Sequence, residues 1–294
     1  MELFRGNRVL IVGLGLIGGS YARALKKQGV VVTAMDCKEE SIEYAIRQGI
    51  IEEGTTGDGK ELIQQAGGIV IALYPGLVKQ WICEHQQWFL PGIRITDVTG
   101  IKGCVVDEVQ KILRPDVEFI AAHPMAGREV YGVQNSDEKI FRDANYLVVP
   151  TEKNSKEAVT WCEDLGKALG FHSITVLSPK EHDKMIAYVS QLTHCIAIAL
   201  MTCNNNEHLV SCTGDSFRDL TRIARINEDM WSELFLKNKE ELLHSMDIFI
   251  REMDELRDLI QTEDREGLKE KMRLSTKRRA LFDKPQKETE MTVL

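Results

Sequence analysis

An apolar strand that opens into a glycine turn and closes, two elements later, on an acid constrains this chain more than any other feature. Arg8 to Val12 (RVLIV) reads as a buried strand, Gly13-Leu14-Gly15-Leu16-Ile17-Gly18 as the turn, and the residues after it (GSYARALKKQG) as a helix. A second strand, Val30 to Met35, ends at Asp36. This is the order of a dinucleotide-binding unit. Gly13 is expected to permit the tight turn, Gly15 to let the backbone approach a pyrophosphate, and Gly18 to let helix and strand pack closely. The helix N-terminus faces the phosphate charge, and Leu16 and Ile17 of the turn are expected to line the cofactor with the glycines. Asp36 lies 18 residues beyond Gly18, where a carboxylate accepts hydrogen bonds from ribose hydroxyls and repels a 2′-phosphate. With no arginine directly after it, NAD is expected in preference to NADP.

Strands and helices continue to alternate. Ser41 to Gln48, Leu77 to Phe89 and Val105 to Leu113 read as helices. Gly68 to Leu73, Ile93 to Thr96, Val117 to Ala121, Tyr146 to Val149 and Ile174 to Val176 read as strands. The pattern implies an α/β, Rossmann-type doubly wound and mostly parallel sheet, with ligands at the carboxyl ends of its strands. From Ser178 the pattern becomes helical. Pro179 to Asn204 is one long helix, apolar almost all round at Ile196 to Met201 and therefore expected to be buried. Met230 to Ile260 reads as another, with Leu242, Met246, Phe249, Met253, Leu256 and Ile260 spaced as a coiled-coil-like seam. Pattern alone leaves open whether that seam is a core face or a subunit interface. Glu266 to Leu281 is a last charged helix, and 283–294 reads as a disordered tail. The expected domains are thus 1–177, dinucleotide-binding, and 178–282, an all-α helical substrate and dimerisation domain.

Composition narrows the class. The 294 residues suit two domains, and the net charge of −8 argues against a nucleic-acid-binding surface. An anionic ligand would need a local arginine cluster. Seven scattered cysteines without a CxxC pair read as reduced thiols, with neither a metal site nor a disulfide framework. With no run of about 18 apolar residues and no secretory pattern, a cytoplasmic enzyme that needs no membrane is expected.

Two segments carry the chemistry. His123-Pro124-Met125-Ala126-Gly127-Arg128-Glu129 directly follows the strand VEFIAA. A histidine at a strand's carboxyl end sits where a base would accept a hydroxyl proton as hydride leaves, and Glu129 could orient or polarise that site. Phe217 to Arg225 holds Arg218, Arg222 and Arg225, followed by Trp231, a grouping suited to bidentate carboxylate recognition.

Together with IVGLGLIGGS and TDVTGIKG (96–103), HPMAGRE (123–129) and FRDLTRIARINEDMWSELFLKNKE (217–240) resemble the prephenate/arogenate dehydrogenase family of tyrosine biosynthesis, over roughly residues 5–282. The resemblance implies NAD-dependent oxidative decarboxylation of prephenate to 4-hydroxyphenylpyruvate, carbon dioxide and NADH. It also implies a homodimer built through the helical domain, which favours the interface reading of the seam. By motif, His123 is the hydrogen-bond acceptor and base, Arg222 binds a substrate carboxylate, and His194 lines the same pocket. Glu129, Arg218 and Trp231 are expected near the substrate, and whether Trp231 reaches across the dimer stays open.

The chain departs from the family pattern twice. Where the family commonly reads Gly-Ser before the lysine-bearing helix, this chain has Thr99-Gly100-Ile101-Lys102, so Thr99 is the candidate replacement hydroxyl. Gln191 stands where relatives often carry a histidine, and is expected to hydrogen-bond substrate without being protonated. Prephenate and arogenate differ at one side-chain carbon, keto against ammonium, and no acid or carbonyl is assignable to an ammonium, so prephenate is preferred. Neither an appended regulatory domain nor a mutase segment is expected. A β-hydroxyacid-type dehydrogenase would leave HPMAGRE unexplained, and a non-catalytic NAD sensor requires that the missing serine abolish turnover.

Overall fold

The computed structural model describes residues 3–283, so the expected disordered tail lies outside the described residues except for Asp283. Six parallel strands form the main sheet: β1 (Arg8–Val12), β2 (Val31–Met35), β3 (Glu53–Thr55), β4 (Ile69–Ile71), β5 (Arg94–Asp97) and β6 (Glu118–Phe119), in the order β3-β2-β1-β4-β5-β6. Helices α1 (Leu16–Lys27), α2 (Glu39–Arg47), α3 (Lys60–Gln65), α4 (Pro75–His85) and α5 (Gly103–Ile112) connect them. Val9 and Ile11 enter one buried apolar cluster, Leu10 and Val12 the other. Both faces of β1 are therefore covered, which is why RVLIV is continuously apolar rather than alternating. The strand order reverses between β1 and β4, and that crevice is where such a sheet binds its ligand.

The segment expected as one strand, Val117 to Ala121, is two strands in two sheets. β6 pairs with β5, whereas β7 (Ala121–Pro124) pairs antiparallel with β8 (Asn145–Val149), itself parallel to β9 (Ser173–Val176). The physical reason is visible at the junction. Ile120 still donates its amide to the Ile95 carbonyl at 2.9 Å, but the Ala122 amide goes to the Asp97 carboxylate at 3.2 Å. The side chain of Asp97 thus ends one ladder and releases the chain into the next. Around the sheets, β3, α3 and α6 (Lys156–Ala168) are additions to the expected set, the last capped by Ser155, whose hydroxyl accepts from the Ala158 amide.

Beyond β9 the chain is helical. Ser178 and Glu181 form a reciprocal capping box ahead of α7 (Pro179–Ile186), which runs through one π-helical segment, Ala187–Gln191, into α8 (Leu192–Thr202). The expected single helix is therefore continuous but changes phase. It is not buried all round: Met201 is 51% exposed, and only Leu192 and Ala197 of α8 are buried. By length and hydropathy alone this helix could cross a membrane, yet it carries Gln191 and His194 in polar contacts described below. Short helices α9 (Leu209–Cys212) and α10 (Asp215–Thr221) and a 3-10 turn, Arg222–Ala224, lead to α11 (Glu228–Lys237). The expected helix from Met230 to Ile260 breaks at Asn238, giving α11 and α12 (Lys239–Gln261), and α13 (Arg265–Arg279) follows.

The chain divides into two compact units at Leu242, inside α12. In the second unit Lys271 of α13 pairs with Glu252 at 2.9 Å and with Glu255 of α12. The heptad seam is only partly covered in the single chain: Leu242 is buried and Met246, Phe249 and Leu256 are half-buried, but Met253 and Ile260 are 51% and 64% exposed.

Candidate active site

The glycine turn has the shape a dinucleotide needs. Gly13 holds a φ of +97° and donates its amide to the Met35 carbonyl at 2.7 Å, joining β1 to the end of β2. A Cβ on Gly18 would sit 1.9 Å from the Gly13 carbonyl oxygen, so α1 could not approach β1 with any side chain there. At Gly15, by contrast, a Cβ would meet nothing within 4 Å, and this residue is exposed at the head of α1 with Leu16 and Ile17 half-buried behind it. A phosphate can therefore reach the N-terminal amides of α1. Asp36 accepts the Leu14 amide at 2.6 Å and the Lys38 amide at 2.9 Å, one on each carboxylate oxygen. Each oxygen keeps a further lone pair for a ribose hydroxyl. These residues fit NAD.

At the carboxyl end of β5 lies a buried ion pair. Lys102 Nζ donates to Asp97 Oδ2 at 2.6 Å, and both side chains are fully buried. Burial pushes the Lys102 ammonium below its usual range, and the Asp97 carboxylate offsets part of that effect. Thr99 belongs to this pair. Its hydroxyl contacts Asp97 Oδ2, lies 2.9 Å from the Ile101 carbonyl and accepts from Lys102 Nζ at 3.2 Å. The hydroxyl expected to serve the substrate is spent inward on a network that satisfies it, and Thr99 is 3% exposed.

His123, on β7, stands at the end of a second network. Its Nδ1 lies 2.9 Å from His182 Nε2, and His182 Nδ1 lies 2.8 Å from Asp183 Oδ1. Asp183 in turn accepts the amides of Lys102 at 2.8 Å and Gly103 at 2.7 Å, closing the N-terminus of α5. Burial holds His123 well below the usual histidine range, with His182 and Lys102 adding to the effect. Burial would raise the Asp183 carboxyl, but the hydrogen bonds from His182, Gly103 and Lys102 outweigh it and hold it low. His123 is thus a neutral imidazole whose Nε2 is the free end, 4.0 Å from the position of a Cβ on Gly100.

The outer part of the site is more open. Arg222, in the 3-10 turn, forms an ion pair with Glu129 at the end of HPMAGRE, with side chains 64% and 35% exposed. The His194 ring stacks on Trp231 with centroids 3.6 Å apart, and its Nδ1 lies 2.8 Å from the Ser190 carbonyl. Burial lowers the His194 ring, while Ser190 and Glu129 raise it and Arg222 lowers it, which places His194 within electrostatic reach of the Arg222–Glu129 pair.

Two expected binding residues are turned elsewhere. Gln191 is 1% exposed; its Nε2 donates to the Leu234 carbonyl at 3.0 Å and its Oε1 accepts from Asn238 at 2.8 Å. It ties α8 to the break between α11 and α12, and it is buried there by protein groups. Arg218 spends its guanidinium locally, on Asp215 and the Thr213 carbonyl, each at 3.1 Å. Conversely, Asp97, Lys102, His182 and Asp183 belong to the site without having been singled out. His182 is 59 residues from His123, and no local spacing signals such a contact. Glu233 of α11 is a further addition, accepting the Gly76 amide at 2.6 Å at the start of α4.

The comparisons with known proteins point to one family. The sequence matches the prephenate dehydrogenase nucleotide-binding domain over residues 21–175 and the prephenate dehydrogenase dimerization domain over 178–274. A prephenate dehydrogenase of Bacillus subtilis is 33% identical, across 89% of this chain and 72% of that protein. A cyclohexadienyl dehydrogenase of Zymomonas mobilis is 28% identical, across 95% of this chain and 96% of that one. Among solved structures, prephenate dehydrogenase from Aquifex aeolicus in complex with hydroxyphenyl propionate and NAD+ superposes with a TM-score of 0.86 at 28% identity, covering 94% of this chain and 98% of that chain. A parallel nucleotide-binding sheet, a histidine freed at Nε2 beside it and two matched domains lead to one conclusion: the chain belongs to the prephenate dehydrogenase family.

Proposed function

We propose that this chain catalyses the NAD-dependent oxidative decarboxylation of prephenate to 4-hydroxyphenylpyruvate, as a homodimer in the cytoplasm, with His123 as its base. The observation that carries the reading is the free Nε2 of His123, a neutral imidazole at the end of β7 beside Gly100. NAD, when bound at the glycine turn and Asp36, supplies the hydride acceptor. His123 Nε2 accepts the hydrogen bond of the ring hydroxyl and takes its proton as the hydride leaves the same carbon. Loss of the ring carboxylate as carbon dioxide leaves a phenolate oxygen, to which His123 returns the proton. The ring becomes aromatic and the step is effectively irreversible.

The substrate is a dianion, so a cation must meet it in a chain of net charge −8. Arg222 is that group: a substrate carboxylate replaces Glu129 as its partner, in bidentate geometry. His194, held by Ser190 and by Trp231, forms the adjoining wall. The exposed apolar residues of α8 and α12, Met201 and Met253 among them, support a dimer through the helical part. The test is to mix the purified protein with NAD and prephenate, and in parallel with arogenate, and follow NADH absorbance. NADH formed with prephenate supports the reading. Turnover of arogenate alone would reassign the substrate, and no NADH with either would refute it.

A further inference from the structure

The proposed base is one end of a three-residue chain whose polarity can be read from its far end. Asp183 accepts two backbone amides, from Lys102 and Gly103, and lies 2.8 Å from His182 Nδ1. An ionised carboxylate only accepts hydrogen bonds, so His182 Nδ1 must carry the hydrogen. Neutral His182 then presents a lone pair at Nε2, and His123, 2.9 Å away, must donate to it from Nδ1. The lone pair of His123 is left at Nε2, beside Gly100. His182 is fully buried, so its role is exerted through His123 and not on the substrate.

We propose that His182 and Asp183 are positioning residues that hold His123 in the tautomer whose Nε2 accepts the substrate proton, and that stabilise the positive charge while His123 holds it. The inference rests on His123 being the base. During the step the substrate O–H bond breaks and an Nε2–H bond forms. The Nδ1–H bond of His123 stays intact, and no proton travels along the chain. Lys102 Nζ, the other charge facing both rings, is neutralised by Asp97 and so opposes this charge only weakly. Asp183 does a second thing with the same carboxylate. By closing α5 it fixes Thr99–Gly103, the loop that sets Gly100 opposite Nε2, so the base and the wall it faces share one anchor.

The experiment compares His182→Leu, His182→Gln, His123→Asn and the double variant His123→Asn/His182→Leu in steady-state turnover. His182→Leu should lower kcat about 10- to 100-fold, as loss of a group orienting another usually does, with KM for prephenate and for NAD within about threefold. His182→Gln, whose amide can accept from His123 and donate to Asp183, should recover kcat to within about fivefold of wild type. The double variant should be no slower than His123→Asn. Full kcat in His182→Leu, no recovery in His182→Gln, or multiplied losses in the double variant would each overturn the proposal. Nitrogen-15 NMR of the intact wild-type protein reads the tautomer without any substitution: an unprotonated Nε2 on His123 supports it and an Nε2–H overturns it. Wild-type turnover in His123→Asn would instead remove the base itself, whereas a slow His123→Asn beside a full-rate His182→Leu would overturn only the positioning chain.

Discussion

The inner and outer ends of the site are built on opposite principles. At the inner end Asp97, Lys102, Thr99, His123, His182 and Asp183 are wholly or largely buried, and apart from His123 Nε2, which is left free, their polar groups are bonded to another member or to backbone. At the outer end a single, largely exposed ion pair, Arg222–Glu129, faces the solvent beside the His194–Trp231 stack. A buried polar network is costly unless complete, and once complete it admits one geometry. An exposed pair is weak, screened and easily exchanged for another partner. The difference teaches where this chain keeps precision and where it keeps access: the proposed base is held rigidly, and the arginine proposed to meet an incoming dianion is left free to change partners.

The sharpest way to break the inner end is to leave one of its charges alone. Lys102→Met should strand a buried Asp97 carboxylate and destabilise the fold by about 3–5 kcal/mol, the usual cost of removing one member of a buried pair. Thermal unfolding would read this as a fall of Tm on the order of 10 °C. A variant as stable as wild type would show that the interior tolerates the lone charge. His123→Asn comes next, with a fall in kcat of about a hundredfold or more and NAD affinity nearly unchanged, the magnitude of general acid–base catalysis. Titration of NAD binding alongside turnover separates the two effects.

At the outer end the expected changes are smaller and of another kind. Arg222→Ala should raise KM for prephenate about tenfold, roughly 1.4 kcal/mol, because solvent already screens so exposed a guanidinium. An unchanged KM would return Arg222 to the role of a solvated surface charge. Gly100→Ser should have the least effect. Gly100 is not among the positive-φ residues, and its Cβ would make ordinary contact with Leu234 at 3.4 Å, so a serine fits. Its hydroxyl would face His123 Nε2, and turnover should stay within about twofold of wild type or rise, with Tm unchanged. A stable variant with much lower turnover would mean that Gly100 is needed as bare backbone.

Which parts of this arrangement were legible in the sequence follows from how local their causes are. β1, the glycine turn and Asp36 depend on periodicity and on residues within one unit: the two strands fall within one residue of expectation, and the helix is found where expected but begins three residues earlier, at Leu16. His123 was legible because a strand end is a local fact. Gln191 was not, because the π-helical segment Ala187–Gln191 breaks the regular phase of a helix and turns its side chain toward Leu234 and Asn238. The division of VEFIAAHP between two sheets hides for a related reason. Both halves are apolar, and what separates them is one carboxylate, Asp97, 25 residues away. His182 and Asp183 sit on an unremarkable first turn of a helix until the fold brings β7 and α5 against it.

The pH dependence of kcat/KM for prephenate, measured side by side on wild type, His123→Asn and His194→Asn, tests the role of His123 most directly. A base held below the ordinary histidine value of 6.5 stays neutral to lower pH, so wild-type activity should be full above neutrality and fall only as pH drops through a pKa beneath that value. His194→Asn should retain this acid limb. In His123→Asn the residual activity should lose it. The same acid limb persisting in His123→Asn, at a rate close to wild type, would contradict the assignment of His123 as the base.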